Sequence, residues 1–139
     1  MRRRTVVDSG PLVALFDRDD AHHANALDFL RTFKGELISD LPVVTEVMYL
    51  LDFSVQAQVS FLQWLVAGGV TLIDVTAEDL VRTAELMQKY SGLPADFADA
   101  TLVALAERLR MHEIATVDRD FGIYRLKGKR ALRNVFPGG

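Results

Sequence analysis

Two short β-branched runs, 5–7 (Thr-Val-Val) and 114–117 (Ile-Ala-Thr-Val), each stop at an acid, Asp8 and Asp118. Between them, helical patterns alternate with further strand-like runs, and this alternation constrains the fold more than any other feature. Strands separated by helices cannot pair as hairpins. They build a parallel sheet whose crossover helices cover both faces. The strand runs are apolar without polar alternation, as befits a sheet buried on both sides. The expected class is α/β, a three-layer α/β/α arrangement with a central parallel sheet, and 139 residues suit one domain over 1–139.

The punctuation supports this reading. Gly10-Pro11 closes the first strand and opens a helix. Ala24, Leu27, Leu30 and Phe33 recur at helical spacing, predicting a helix over 21–34. A second strand is expected at 36–40, then a helix opened by Pro42 and another over 55–67 that stops at Gly68-Gly69. A third strand is expected at 70–75. Thr76 with Asp79 three positions on forms a capping pattern for a helix reaching Tyr90. Residues 91–94 break the chain, 96–110 form an Ala- and Leu-rich helix, and a weak strand is expected at 131–135.

Absences exclude several classes. The chain has no cysteine, so disulfide frameworks and Cys-ligated zinc or iron–sulfur sites are ruled out. No apolar run approaches the roughly 18 residues a membrane helix needs. The basic start at Arg2–Arg4 is followed by only Val6 and Val7 before Asp8, too little for a signal peptide. A cytoplasmic location without membrane attachment is the expectation. There is no P-loop and no nucleophile elbow. His22 and His23 lack zinc spacing and are expected at the surface, and Trp64 in core or interface.

The formal charge of -3 conceals an asymmetry. Residues 2–4 are three arginines and 119–139 hold six bases against one acid, whereas 5–118 hold seven bases against 18 acids. Beside solubility, this pattern fits a basic rim for a polyanion and an acidic centre for cations.

Four carboxylates occupy unusual places. Asp8 and Asp118 end strands. Glu46 shares a helix face with Val43, Val47 and Leu50, and Asp99 shares one with Leu102, Val103 and Ala106. The plainer role for Asp8, Asp99 and Asp118 is helix capping, and for Glu46 a stripe edge that reaches water. Asp96 fits capping better than chemistry. Taken together, the four acids converge on the carboxyl edge of a parallel sheet, where ligands bind. Clustered carboxylates repel one another, and divalent cations remove that penalty. An oxygen-only donor set favours Mg²⁺ or Mn²⁺. Ser9, Asp96, Thr116 and Asp120 are accessory candidates.

These segments resemble the PIN-domain family of metal-dependent ribonucleases, above all the VapC-type toxins of toxin–antitoxin pairs. VVDSGPLVALFDRDDAHH resembles the family's first strand, acid and helix. PVVTEVMYLL resembles the helix bearing its glutamate, LPADFADATLVALAERL that bearing the third acid, and ATVDRDF the segment bearing the fourth. The resemblance implies Asp8, Glu46, Asp99 and Asp118 as catalytic and metal-binding acids, with Asp118 and Asp120 both open as the fourth. It implies hydrolysis of RNA phosphodiester bonds, with Arg119, Arg125 and Lys127 placed to hold RNA phosphates. It also implies a homodimer, to which the apolar helices at 42–67 would contribute, and a VapB-type antitoxin partner. DNA contact would come only through that antitoxin. Arg2–Arg4 fall outside the family pattern.

Two other classes compete. A catalytically silent PIN-like interaction module would keep the fold without cleaving RNA. Phosphotransfer through Asp8 is disfavoured, because Gly10 stands where dehalogenase-like phosphatases carry a second acid. Receiver-like proteins need an acidic pair before the first strand, where arginines stand here.

Overall fold

The computed structural model describes residues 2–92, 96–118, 121, 124–126 and 130–137. Among the described residues, five strands, β1 (Arg4–Val7), β2 (Glu36–Ser39), β3 (Thr71–Leu72), β4 (Glu113–Ala115) and β5 (Arg133–Asn134), form one sheet in the order β3-β2-β1-β4-β5. Every pairing among them is parallel. The described helices that connect them are α1 (Ser9–Phe16), α2 (His23–Thr32), α3 (Leu41–Leu50), α4 (Val55–Val66), α5 (Ala77–Lys89) and α6 (Phe97–Arg108). This is the α/β class and central parallel sheet expected from the sequence.

Thr5, Val6 and Val7 are each at most 1% exposed. Successive strand residues face opposite sides, so both faces of β1 are covered. Helix α1 packs on α2, α3 and α4, while α5 packs on α6 and α3 meets α6. Helix α6 is buried on nearly every side from Ala98 to Ala106, which explains its Ala-rich sequence. Two ion pairs tie α5 to α6: Arg82 to Glu107 at 2.7 Å and Arg108 to Asp79 at 2.9 Å. The capping box of Thr76 and Asp79 forms as expected.

Consecutive strands step outward from β1 to β2 to β3, and the chain then crosses to β4 on the other side of β1. The order reverses between β1 and β4. A crevice opens beyond the carboxyl ends of strands at such a point.

Four sequence expectations need correction. The run at 70–75 pairs only at Thr71–Leu72, an exposed edge strand. The Asp74 carbonyl is instead taken by Arg108 Nη2 at 3.0 Å, which turns the chain toward α5. Strand β4 starts at Glu113 and ends at Ala115 rather than running to Val117. Beyond it the Thr116 amide donates to the Asn134 side chain at 3.2 Å, so Asp118 lies in the following loop. The helix predicted over 21–34 is shorter, because residues 17–22 form turns held by the Asp17 and Asp20 carboxylates. His22 and His23 are half-buried, with His23 Nδ1 2.6 Å from the Ala14 carbonyl.

Helix α6 ends in a Schellman turn: the Met111 amide donates to Ala106 and the Arg110 amide to Glu107. Arg110 takes the left-handed position with φ 56°. Glycine is favoured there, and a side chain costs about 1 kcal/mol.

Candidate active site

The carboxyl edge of β1 delivers Asp8 into the crevice. Its amide still donates to the Ala115 carbonyl at 3.0 Å, extending the β1–β4 ladder by one bond. Asp8 occupies the N-cap position of α1, but its side chain makes no capping hydrogen bond. Oδ2 instead accepts from the Thr116 hydroxyl at 3.0 Å, and Oδ1 is buried without a hydrogen-bond partner. Capping therefore does not account for this carboxylate. Burial pushes its pKa up to about 6, against the lowering effect of the Ser9 amide and the Thr116 hydroxyl. The Asp118 and Asp96 charges add to the rise.

Glu46 sits in α3, whose start is held by Asp40, with its side chain accepting from the Val43 amide at 3.1 Å. Val43 and Val47 anchor the helix in the core, and between them Glu46 is half-buried. Its Oε2 has no partner. Burial, then the Asp96 and Asp8 charges, carry its pKa to about 7, opposed by the Ser9 side chain.

Asp99 lies one turn into α6. Asp96 Oδ1 caps that helix, accepting from the Asp99 amide at 2.9 Å. Only this one bond of a capping box forms, so the Asp99 carboxylate is left to the crevice. Burial and the charges of Asp8, Asp96, Glu46 and Asp118, in that order, lift its pKa to about 8.

Oxygens of Glu46, Asp96 and Asp99 all lie within 4.8 Å of one another. Asp8 and Asp118 act electrostatically on the same group. From the sequence, Asp96 reads foremost as a cap and only as an accessory site candidate. In the structure it caps α6 and also stands in this tight trio. Asp118 is half-buried, and its amide donates to Thr116 Oγ1 at 2.9 Å. Ser9 is buried beside Asp8. Asp120, Arg119 and Lys127 lie outside the described residues. Arg125 is exposed, its amide donating to the Tyr90 hydroxyl and its Nη1 to the Tyr124 carbonyl, both at 3.1 Å.

Two supporting residues escaped the sequence argument. Asn134 holds the loop after β4 through Thr116 N and Thr116 O, and nothing in its sequence context signals this. Asp40 is wholly buried beneath α3. Its place before Leu41-Pro42 is a helix-start signal that could have found it.

Two orphaned buried carboxylate oxygens and three acids titrating near neutrality describe a site built for positive charge. The donors are all oxygens, which suits a hard divalent cation.

The class that this fold and site define is borne out by comparison: a model of the PIN domain matches residues 5–127, and the chain belongs to that family. It is 30% identical over 116 residues to ribonuclease VapC26 of Mycobacterium tuberculosis, covering 82% of this chain and 86% of the relative. Among solved structures it resembles VapC20 of M. tuberculosis, a toxin that cleaves the sarcin–ricin loop. The TM-score is 0.79 at 22% identity, over 86% of this chain and 93% of that one. It also resembles VapBC2 of Rickettsia felis bound to a promoter DNA fragment, with a TM-score of 0.66 at 16% identity over 94% and 98% of the two chains.

Proposed function

We propose that the chain is a Mg²⁺- or Mn²⁺-dependent endoribonuclease, the toxin half of a toxin–antitoxin pair. The observation that carries this reading is the convergence of Asp8, Glu46, Asp96, Asp99 and Asp118 on the β1–β4 crevice, with buried oxygens of Asp8 and Glu46 left unpartnered. Asp8, Glu46, Asp99 and Asp118 are the ligands in this reading, with Asp96 beside them. Asp120 remains an alternative to Asp118. A bound divalent ion would offset the clustered charge and supply Lewis-acid activation of water and phosphodiester. Thr116 orients Asp8. Glu46, half-buried with one carboxylate oxygen lacking a partner, is the candidate to accept the proton of the attacking water.

A relative named as a VapC ribonuclease and neighbours solved as toxin or toxin–antitoxin structures support the assignment. The partners proposed on this basis are an RNA substrate, a VapB-type antitoxin and a second copy of the chain. DNA would be touched only through the antitoxin. Tyr49, Phe53 and Val55 leave an exposed apolar face at the α3–α4 turn that suits a protein partner. Among the described residues no helix is long and apolar enough to cross a membrane, and we place the protein in the cytoplasm.

The test is cleavage of a panel of structured RNAs by antitoxin-free protein and by Asp99→Asn, in Mg²⁺, in Mn²⁺ and in EDTA. Cleavage by the unaltered protein alone, abolished by EDTA, is expected. Absence of both cleavage and metal binding would assign the silent interaction module instead.

A further inference from the structure

The amino edge of the sheet carries a second charged surface, opposite in sign to the first. Arg2, Arg4, Arg110, Met111, His112 and Glu113 line a shallow depression of about 550 Å³ there. It lies one strand length from the acids, since β1 runs from Arg4 to Val7 before Asp8, roughly 13 Å at strand rise.

Its only acid among the described residues is already satisfied. Glu113 accepts from Arg3 Nε at 2.7 Å and Thr5 Oγ1 at 3.1 Å, and it also pairs with Arg133. Neither Arg3 nor Arg133 lines the depression. The three arginines that do line it are exposed and lack carboxylate partners among the described residues. Arg2 donates to the Gly35 carbonyl at 3.0 Å and Arg4 to the Leu109 carbonyl at 2.9 Å, contacts that orient a guanidinium without neutralising it.

Arg110 supplies an independent observation. It stands in the left-handed position of the Schellman turn, where glycine folds with less strain. A cation suits the end of a helix, but glycine would avoid the strain of this φ, and such outliers point toward function. The turn projects this residue from the end of α6 into the basic depression.

We propose that Arg2, Arg4 and Arg110 form a phosphate-binding patch that holds the backbone of the RNA substrate remote from the scissile bond. That the polyanion is RNA rests on the ribonuclease reading; that it is a phosphodiester chain rests on the arginines. Guanidinium groups bind phosphate bidentately. Among the described residues lining the depression, the one apolar side chain, Met111, is buried and the arginines dominate the exposed part, which suits a polyanion better than an acidic protein partner that needs an apolar anchor. Because the patch and the acids lie on opposite edges, only an RNA large enough to pass around the sheet engages both.

The test is fluorescence anisotropy with a labelled RNA hairpin in EDTA, so that binding is read whether or not the acidic site cleaves. The triple variant Arg2→Ala/Arg4→Ala/Arg110→Gly is expected to raise Kd about tenfold or more at low salt. The slope of log K against log salt should become shallower by about two to three, as loss of three phosphate contacts predicts. Arg110→Gly alone should weaken binding severalfold while leaving Tm unchanged or higher, which separates lost contact from lost fold. Unchanged Kd and slope in the triple variant would overturn the proposal. So would a loss confined to a duplex DNA probe, which would assign the patch to DNA. Failure of the ribonuclease reading would instead appear as absent cleavage in Mg²⁺ and Mn²⁺.

Discussion

The Thr116 hydroxyl donates to Asp8 Oδ2 at 3.0 Å while accepting the Asp118 amide at 2.9 Å. One buried side chain thus couples the acid that ends β1 to the loop that follows β4. The hydroxyl is committed at both its donor and an acceptor site, so it fixes the Asp8 rotamer and the course of the loop together. Partners of this kind typically cost about 10–100-fold in metal affinity or activity when removed. Thr116→Val should therefore weaken metal binding and RNA cleavage by that factor, and Thr116→Ser should restore most of both. Metal titration by calorimetry checks it, and a Thr116→Val protein with unaltered metal affinity would remove the coupling from the site's chemistry.

Asp99 should show opposite effects on activity and stability. Its pKa of about 8 reflects burial and four neighbouring acids, so its ionised form opposes folding in metal-free protein. Asp99→Asn keeps the shape and discards the charge. The expected outcome is a loss of cleavage of roughly 100-fold or more with a gain of about 1–3 kcal/mol in metal-free stability. Denaturation in EDTA, alongside the cleavage assay, checks both arms. A destabilised Asn variant would mean that the carboxylate has a structural partner.

The same titrations set a pH dependence. Folded-state pKa values of about 6, 7 and 8 for Asp8, Glu46 and Asp99 exceed their ordinary values. Between about pH 4 and 8 the folded protein therefore binds more protons than the unfolded chain, and stability falls as pH rises. Two other acids act in the opposite sense and lower down. Arg3 holds Glu113 below its ordinary 4.5, and at Asp79 burial is the largest single effect but Arg108 and the Thr76 amide and hydroxyl together outweigh it and hold the group below 3.8. Their stabilisation is lost only under more acidic conditions. Metal-free Tm should thus be highest near pH 4 and fall by on the order of 10 °C toward pH 8. Saturating Mg²⁺ should flatten the fall, and Mg²⁺ affinity should rise with pH as bound protons are released. Scanning calorimetry with and without Mg²⁺ measures both.

Legibility in the sequence followed how local each signal was. The chain order of strands and helices was readable, because patterning and breakers such as Gly10-Pro11 and Gly68-Gly69 act within a few residues. Asp8 and Asp99 were readable as misplaced charge. The run at 70–75 was over-read, since its apolarity reflects packing of Val70 and Ile73 while its ladder to β2 ends with the Ile73 amide on the Ser39 carbonyl. Strand β4 was displaced because the Asn134 side chain, 18 residues away, takes the Thr116 amide. Asp96 was underweighted because a cap and a site residue look alike in sequence, and only the fold shows both roles held at once. The Arg2–Arg4 charges were readable, but a parallel sheet puts them on the edge opposite Asp8 rather than beside the acidic centre.

Gly10 offers a test of how closely α1 must approach the loop after β4. A Cβ placed on Gly10 would lie 2.3 Å from Val117 Cγ2 and 3.4 Å from Val117 Cβ. The first contact is far inside van der Waals distance and the second is tight but tolerable. Gly10→Ala must therefore push Val117 away, and with it the neighbouring Thr116 and Asp118, at a cost of about 1–3 kcal/mol. Asp8 and Ser9 lie just before Gly10, so the displacement opens the site from both sides. Val117→Ala removes the offending methyl and should restore the approach. The expected result is a double-mutant cycle in which Gly10→Ala/Val117→Ala recovers at least half of the stability and the metal affinity lost in Gly10→Ala alone. Additive effects would show that the glycine serves the α1 backbone rather than the contact with Val117.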